Sequence, residues 1–295
     1  MCYPTGHDGD DDNPGRSDRW TSARGLLAQY GLWPKQNLGQ HFVTDENVLG
    51  KIVAAAQLTP RDVVLEVGPG LGHLTRLLAR QAGRVVAVEL DDRFMPILRD
   101  QLAGCDNVAL VEGDILRLSL SFLLSPLSSH YKVVANLPYY ISTAVLQHFL
   151  EGEPSPVRMV VTVQYEVARR MVARPGDMSL LAVSVQFYGQ PHIVSRIKAG
   201  AFYPRPEVDS AIVRIDRHAV PPVDAPDVRA FFAVVKAGFA QRRKQLRNSL
   251  PAGLRRPQTE VVAALEGVGI DPQRRPQTLS LEEWAAVTRQ LSVED

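Results

Sequence analysis

The 295-residue chain has only two cysteines, Cys2 and Cys105, too few for a disulfide framework or a cysteine-based zinc cluster. Such sparse cysteine suits a reducing compartment, and a cytoplasmic location is expected. No apolar run reaches the roughly 18 residues a membrane span requires, so no membrane association is expected. The opening MCYPTGHDGDDDNPGRSD lacks the basic start and apolar middle of a secretory signal. Residues 1–20 read instead as a disordered acidic tail, or as the result of a start codon assigned too early, because acidic segments bearing Gly and Pro bury too little to order themselves. A large excess of one charge is also missing, the net charge being +1. That balance hides an uneven distribution. Residues 196–275 hold 15 Lys/Arg against 8 Asp/Glu, while the tail contributes Asp8, Asp10, Asp11 and Asp12. A basic downstream half hints at a polyanionic partner.

What is present is a folding pattern. Hydrophobic residues make up 45%, enough for a sizeable core. SARGLLAQYGL reads as a short helix stopped near Gly31, and Asp45 as the cap of a helix whose Val48, Leu49, Ile52 and Val53 share one face. From residue 62, short Val/Leu runs alternate with amphipathic stretches. DVVLEVG, RVVAVEL, NVALVEGD, YKVVANLP and VRMVVTVQ read as strands, with helices between them; LLAVSVQFYG and SAIVRIDR are expected to complete seven, as an antiparallel edge pair. Continuous apolar runs suit parallel strands covered on both faces, so a doubly wound α/β sheet is expected over residues 21–217. HAVPPVDAPD is a Pro-rich break, and only helical patterns follow it: VRAFFAVVKAGFAQRRKQLRNSL, QTEVVAALEGVG and SLEEWAAVTRQL. Residues 224–295 therefore read as a small all-helical second domain.

The strand ends hold the candidate chemistry. VLEVGPGLGHLT puts Gly68, Gly70 and Gly72 at the first strand-to-helix turn, where glycine lets backbone approach a ligand. Glu89 ends the next strand, 19 positions after Gly70, a spacing that suits a carboxylate accepting from both hydroxyls of a ribose. A dinucleotide dehydrogenase fits equally well to this point. Three features favour a methyltransferase: the G-x-G-x-G spacing, Glu66 within E-V-G-P-G, and Asp114 at the third strand end, able to accept from an adenine amino group. Gly68, Gly70, Glu89 and Asp114 together suit one adenosine, the nucleoside half of S-adenosyl-L-methionine. The fourth strand ends in Asn136-Leu137-Pro138-Tyr139. Adenine's exocyclic nitrogen is a poor nucleophile because its lone pair is delocalised into the ring. The Asn136 side-chain oxygen and the Leu137 carbonyl could bind its hydrogens and localise that pair. Pro138 holds the turn, and Tyr139 offers a face on which a base stacks, worth roughly 1–3 kcal/mol.

With these segments, together with PKQNLGQHFVTDENVLGKIV, EGDIL, VQYEVARRMVARPG, AFYPRPEVDSAIVRI and FAQRRKQLRNSL, the chain resembles the ribosomal RNA adenine dimethyltransferase family from about residue 21 to 291. The resemblance implies a Rossmann-like class I methyltransferase sheet of about seven strands. It implies cofactor contacts at His41, Val43, Gly68, Glu89, Asp114 and Asn136, a catalytic loop from Asn136 to Tyr139, and a second stacking aromatic at Phe202. Arg242, Arg243, Lys244 and Arg247, over two expected helical turns, would track RNA phosphates. There are two departures. His41 stands where Asn is common, and is expected neutral beside a sulfonium. Tyr140 stands where Asn or His is frequent, which is expected to alter base stacking.

The implied reaction is N6,N6-dimethylation of two adjacent adenosines in a hairpin near the 3′ end of 16S rRNA, within the immature 30S subunit, by a monomer. In-line displacement at an activated methyl needs no metal and no covalent enzyme intermediate. Two other functions are weighed: a 23S rRNA methyltransferase conferring macrolide resistance, and an assembly factor whose methylation is dispensable. The NLPY loop and the FAQRRKQLRNSL segment favour the small-subunit enzyme.

Overall fold

The computed structural model of the protein describes residues 22–35, 39–124, 130–225, 227–241 and 243–292. The expected acidic tail lies outside the described residues.

A short helix, α1 (Ala23–Gln29), precedes a two-residue strand, β1 (Phe42–Val43), and helix α2 (Glu46–Ala56). The Asp45 side chain caps α2, accepting from the N–H groups of Asn47 at 2.8 Å and Val48 at 3.3 Å. Then come β2 (Val63–Val67), α3 (His73–Ala79), β3 (Arg84–Glu89), α4 (Met95–Gln101), β4 (Val108–Glu112), α5 (Leu120–Leu124), β5 (Tyr131–Asn136), α6 (Ser142–Glu151), β6 (Arg158–Gln164) and α7 (Tyr165–Met171). These strands pair in parallel, and all five residues of β2 are buried, as expected where helices cover both faces. Alternate residues divide between two layers. Val64, Val134 and Val160 pack with α2 and α3, whereas Leu65, Val133 and Val161 pack with α6 and α7.

The remaining elements before the chain's Pro-rich break correct one expectation. LLAVSVQFYG is not a strand: Leu180–Tyr188 is a helix, α8, capped by the Ser179 hydroxyl, which accepts from the Ala182 N–H at 3.2 Å. The seventh strand of the sheet is instead β7 (Gly189–Ile197), followed by β8 (Phe202–Tyr203) and β9 (Ser210–Arg217). The reason is that α8 is apolar nearly all round, so its sequence has no helical stripe; Leu181 and Val185 enter the sheet core while Ala182, Val183 and Phe187 enter a second core. The sheet order is β4-β3-β2-β5-β6-β9-β7, with β9 antiparallel to both neighbours, and β1 pairs with β8 in a separate two-stranded ribbon.

The second core is completed by α9 (Val228–Phe239), α10 (Leu246–Leu254), α11 (Gln258–Gly267) and α12 (Leu281–Ser292), around the buried Trp284. The run from Val228 to Leu250 is thus two helices, not one. Leu246 and Arg247 donate their N–H groups at 2.8 and 3.0 Å to the carbonyls of Arg274 and Pro272, which breaks the helical ladder between α9 and α10. Among the described residues, no helix is long and apolar enough to cross a membrane.

Candidate active site

The strand order reverses between β2 and β5, because the chain winds outward through β3 and β4 and then returns to β2's other side. At such a switch point the loops leaving the strand ends part and leave a crevice. A partly open cleft lies there. His41, Gly68, Gly70, Glu89, Asp114, Asn136, Leu137, Pro138, Tyr139 and Tyr140 all line it. Val43 lines a smaller neighbouring cavity, which shares Phe42, Gly68 and Asn136 with the cleft.

The glycine turn is built for close approach. Gly70 has φ +57°, and a Cβ there would lie 2.9 Å from Cε1 of Phe42. Its N–H donates to Oε2 of Glu89 at 2.9 Å, and the Asp91 N–H donates to Oε1 at 2.9 Å. Glu89 is thereby fixed with lone pairs to spare on both oxygens. Burial pushes its carboxyl above the ordinary range, against the opposing pull of the Asp91 and Gly70 N–H groups. Asp114 is partly exposed; its Oδ1 accepts from the Leu116 N–H at 3.0 Å, which holds the carboxylate at the β4 end. These groups fit an adenosine: a carboxylate with free lone pairs for a ribose and a second for an amino group.

At the end of β5, the Asn136 carboxamide donates from Nδ2 to the His41 carbonyl at 2.8 Å. A carbonyl can only accept, so the nitrogen must face it and Oδ1 is left as the free acceptor. His41 Nδ1 sits 2.8 Å from the Pro204 carbonyl, so in the neutral ring Nδ1 bears the hydrogen and Nε2 is the acceptor. The His41 ring stacks on Tyr139, 5.4 Å between centroids and 26° between planes, and the Tyr139 hydroxyl pairs with Ser210 Oγ at 2.6 Å. One face of Tyr139 is therefore covered by His41. Tyr140, more than half exposed, presents a freer ring at the cleft mouth.

Two groups expected to meet the RNA lie outside the cleft. Phe202 is only 4% exposed, opposite Val43 in the β1–β8 ribbon, and is packed among α2 and sheet side chains. It lines neither cavity. Arg243, Lys244 and Arg247 do not line the cleft and do not form a helical stripe; Arg243 and Lys244 lie in the turn between α9 and α10, and all three are exposed. Arg242 lies outside the described residues. Sequence reasoning missed Phe42, Gln40 and Asp91, which also line the cleft. Asp91, two residues after Glu89, was the legible signal.

A family model for ribosomal RNA adenine dimethylase matches residues 33–291. The chain belongs to the ribosomal RNA adenine dimethylase family. Among its relatives, the ribosomal RNA small subunit methyltransferase A of Dehalococcoides mccartyi (strain CBDB1) is 49% identical over 262 residues, covering 89% of this chain and 90% of the relative. The protein of the same name from Moorella thermoacetica is 44% identical over 275 residues, 90% of this chain and 95% of the relative. Of solved structures, the 23S rRNA methyltransferase ErmE is similar at 30% identity and a TM-score of 0.68, over 85% of this chain and 99% of that one. A dimethyladenosine transferase from Plasmodium falciparum, 22% identical with a TM-score of 0.71 over 85% of this chain and 97% of that one, shares the fold. As a ribosomal RNA adenine dimethylase, the chain has the class I methyltransferase sheet, with the cleft at its switch point.

Proposed function

We propose that this ribosomal RNA adenine dimethylase uses S-adenosyl-L-methionine to place two methyl groups on N6 of each of two adjacent adenosines near the 3′ end of 16S rRNA. The observation that carries the reading is the meeting of Glu89, Asp114 and Asn136-Leu137-Pro138-Tyr139 in one cleft. The small-subunit target is favoured over a 23S target because the relatives named for the small subunit are 44–49% identical, against 30% for ErmE.

In this reading Glu89 holds the ribose and Asp114 the adenine amino group, while Gly68 and Gly70 give the cofactor room. The fit is supported by the free lone pairs of Glu89 and by Glu66, whose buried Oε2 has no hydrogen-bond partner beside the Val43 cavity. When bound, the cofactor would supply an electrophilic methyl group on a sulfonium whose sulfur leaves as a neutral thioether. The chain's own part is positioning. Asn136 Oδ1 and the Leu137 carbonyl accept the hydrogens of the target amine, which localises its lone pair, and the displaced proton leaves to solvent. Tyr140, with the open face of Tyr139, stacks the extruded base. No side chain needs to act as a strong base, so catalysis is orientation and exclusion of water. Residues 224–295 form the helical RNA-binding part, with Arg243, Lys244 and Arg247 meeting phosphates of the immature 30S particle. The enzyme works as a cytoplasmic monomer.

The test is transfer of labelled methyl from S-adenosyl-L-methionine to 30S particles lacking the modification, with mass spectrometry of the RNA. Four methyl groups on two neighbouring adenosines are expected, and far fewer over the same time with Asn136→Ala. Label appearing in 23S rRNA instead, with loss of macrolide susceptibility on expression, would transfer the reading to the resistance enzymes.

A further inference from the structure

The cleft contains one connection that the cofactor contacts do not need. The Gln40 side chain donates from Nε2 to Asp91 Oδ2 at 2.9 Å, and its Oε1 accepts from the Lys35 N–H at 2.7 Å. Asp91 is 4% exposed and is gripped from the other side by the Arg93 guanidinium, Nε to Oδ1 at 2.8 Å and the terminal nitrogen to Oδ2 at 2.5 Å. Its own N–H, with that of Gly70, orients Glu89. The next residue after Gln40 is His41, whose carbonyl receives the Asn136 carboxamide. On the far side, Gly39 lies against Tyr140, where a Cβ would come within 3.3 Å of the tyrosine ring. The segment Gly39–His41 thus crosses from the end of β3 to the turn after β5, fixed at each step by a hydrogen bond or a contact.

We infer that Gln40 and Asp91 are positioning residues for the methyl-transfer step, holding the His41 carbonyl where it turns the Asn136 carboxamide so that Oδ1 faces the acceptor amine. This rests on the proposed function above and deepens it. The argument is steric and electrostatic. Asn136 lies at a strand end with one partner for its nitrogen, the His41 carbonyl. Moving that carbonyl frees the carboxamide to rotate and present its NH₂ group, a donor, to an amine that must donate. The His41 backbone has no regular ladder to fix it on its N-terminal side, because β1 begins only at Phe42. Gln40 supplies that anchor, and Asp91 is a strong acceptor for it because its charge is held by Arg93. The chain of bonds also joins the carboxylate assigned to the ribose with the amide assigned to the target base, so both ends of the cleft share one frame.

The experiment uses the full chain with Gln40→Ala, Asp91→Ala, the double variant and the conservative Asp91→Asn, which keeps an acceptor for Gln40. Single-turnover methylation of 30S particles is measured beside calorimetric binding of S-adenosyl-L-homocysteine. Gln40→Ala is expected to lower the rate about 10–100-fold, the scale of a displaced reacting group, with the dissociation constant changed by no more than about threefold. Asp91→Ala is expected to match it in rate, the double variant to be no worse than either single change, and Asp91→Asn to recover most of the rate. A Gln40→Ala rate within about threefold of wild type overturns the inference, as does a rate loss fully matched by lost homocysteine affinity. If wild type itself moves no methyl group, the functional reading falls. The inference is then decided by the ¹⁵N side-chain amide signal of Asn136, which must shift in Gln40→Ala and stay in place in Asp91→Asn; an unmoved signal in Gln40→Ala sinks it.

Discussion

The strand-end cleft and the basic turn between α9 and α10 both hold polar groups proposed to meet a ligand, yet they are built in opposite ways. In the cleft, each group is tied to a second one: Glu89 to Gly70 and Asp91, Asn136 to His41, Tyr139 to Ser210. In the turn, Arg243 and Lys244 stand in solvent, and at the start of α10 the Arg247 side chain donates to Gln245 two residues away. The cleft prepays the ordering of its donors and acceptors, as a site for one small molecule and one atom-specific reaction should. The turn keeps mobile point charges, which suits phosphates whose positions vary along a folded RNA.

That contrast can be broken at several points. The largest effect is expected from Asn136→Ala, which should reduce single-turnover methyl transfer by about 10²–10³-fold, the scale of losing one preorganised polar group at a reacting centre. A rate within tenfold of wild type would mean the cleft is not organised around this amide. Gly70→Ala comes next. Its Cβ would meet Phe42 at 2.9 Å on a backbone at φ +57°. An affinity loss of about tenfold or more for S-adenosyl-L-homocysteine is expected by calorimetry, since both the turn and its bond to Glu89 must shift. The basic turn should respond differently. Replacing Arg243, Lys244 and Arg247 with alanine should weaken RNA binding while leaving the single-turnover rate at saturating RNA near wild type. The slope of log affinity against log salt should fall by about 1 for each phosphate that is no longer neutralised. An unchanged slope would remove these cations from the RNA surface.

The smallest effect concerns Glu66, fully buried, whose carboxyl burial pushes up to about 8, with the Thr75 hydroxyl opposing and Glu89 adding to the rise. A raised carboxyl pKa means the folded chain keeps a proton that the unfolded chain releases. Its contribution is therefore whole below the unfolded value, near 4.5, and is lost as pH climbs towards 8. Glu66→Gln, neutral throughout, should remove this slope. Denaturant titrations at about pH 5.5 and 8 should show wild type losing more stability over that interval than the variant.

Much of the fold was legible before any coordinate was known. The Val/Leu runs of β2, β3, β5 and β6 are short, bounded by glycine or proline, and of strand length, so they could not be mistaken. The strand-end acids were legible because parallel strands bring their C-terminal ends to one edge whatever the loop lengths. The helix α8 was not, because LLAVSVQFY touches a core on two sides and an apolar run of nine residues shows no period that tells helix from buried strand. The burial of Phe202 was not legible for a related reason. A motif gives the residue but not the face it turns to, and the β1–β8 pairing turns this ring inward. The bridge through Gln40 and Asp91 joins positions 51 apart in sequence, and no local pattern announces such a pair.

The double allegiance of α8 has a consequence for how the chain can be divided. Leu181 and Val185 are sealed by the sheet, while Ala182, Val183 and Phe187 are sealed by Phe231, Phe232 and their neighbours in the last four helices. Trimming the chain at the Pro-rich break would strip one side of this helix bare and leave a greasy strip where two stacked phenylalanine rings used to meet. The helical part is thus a wall of the same building, and severing it should yield a sticky, self-associating remnant instead of a working half.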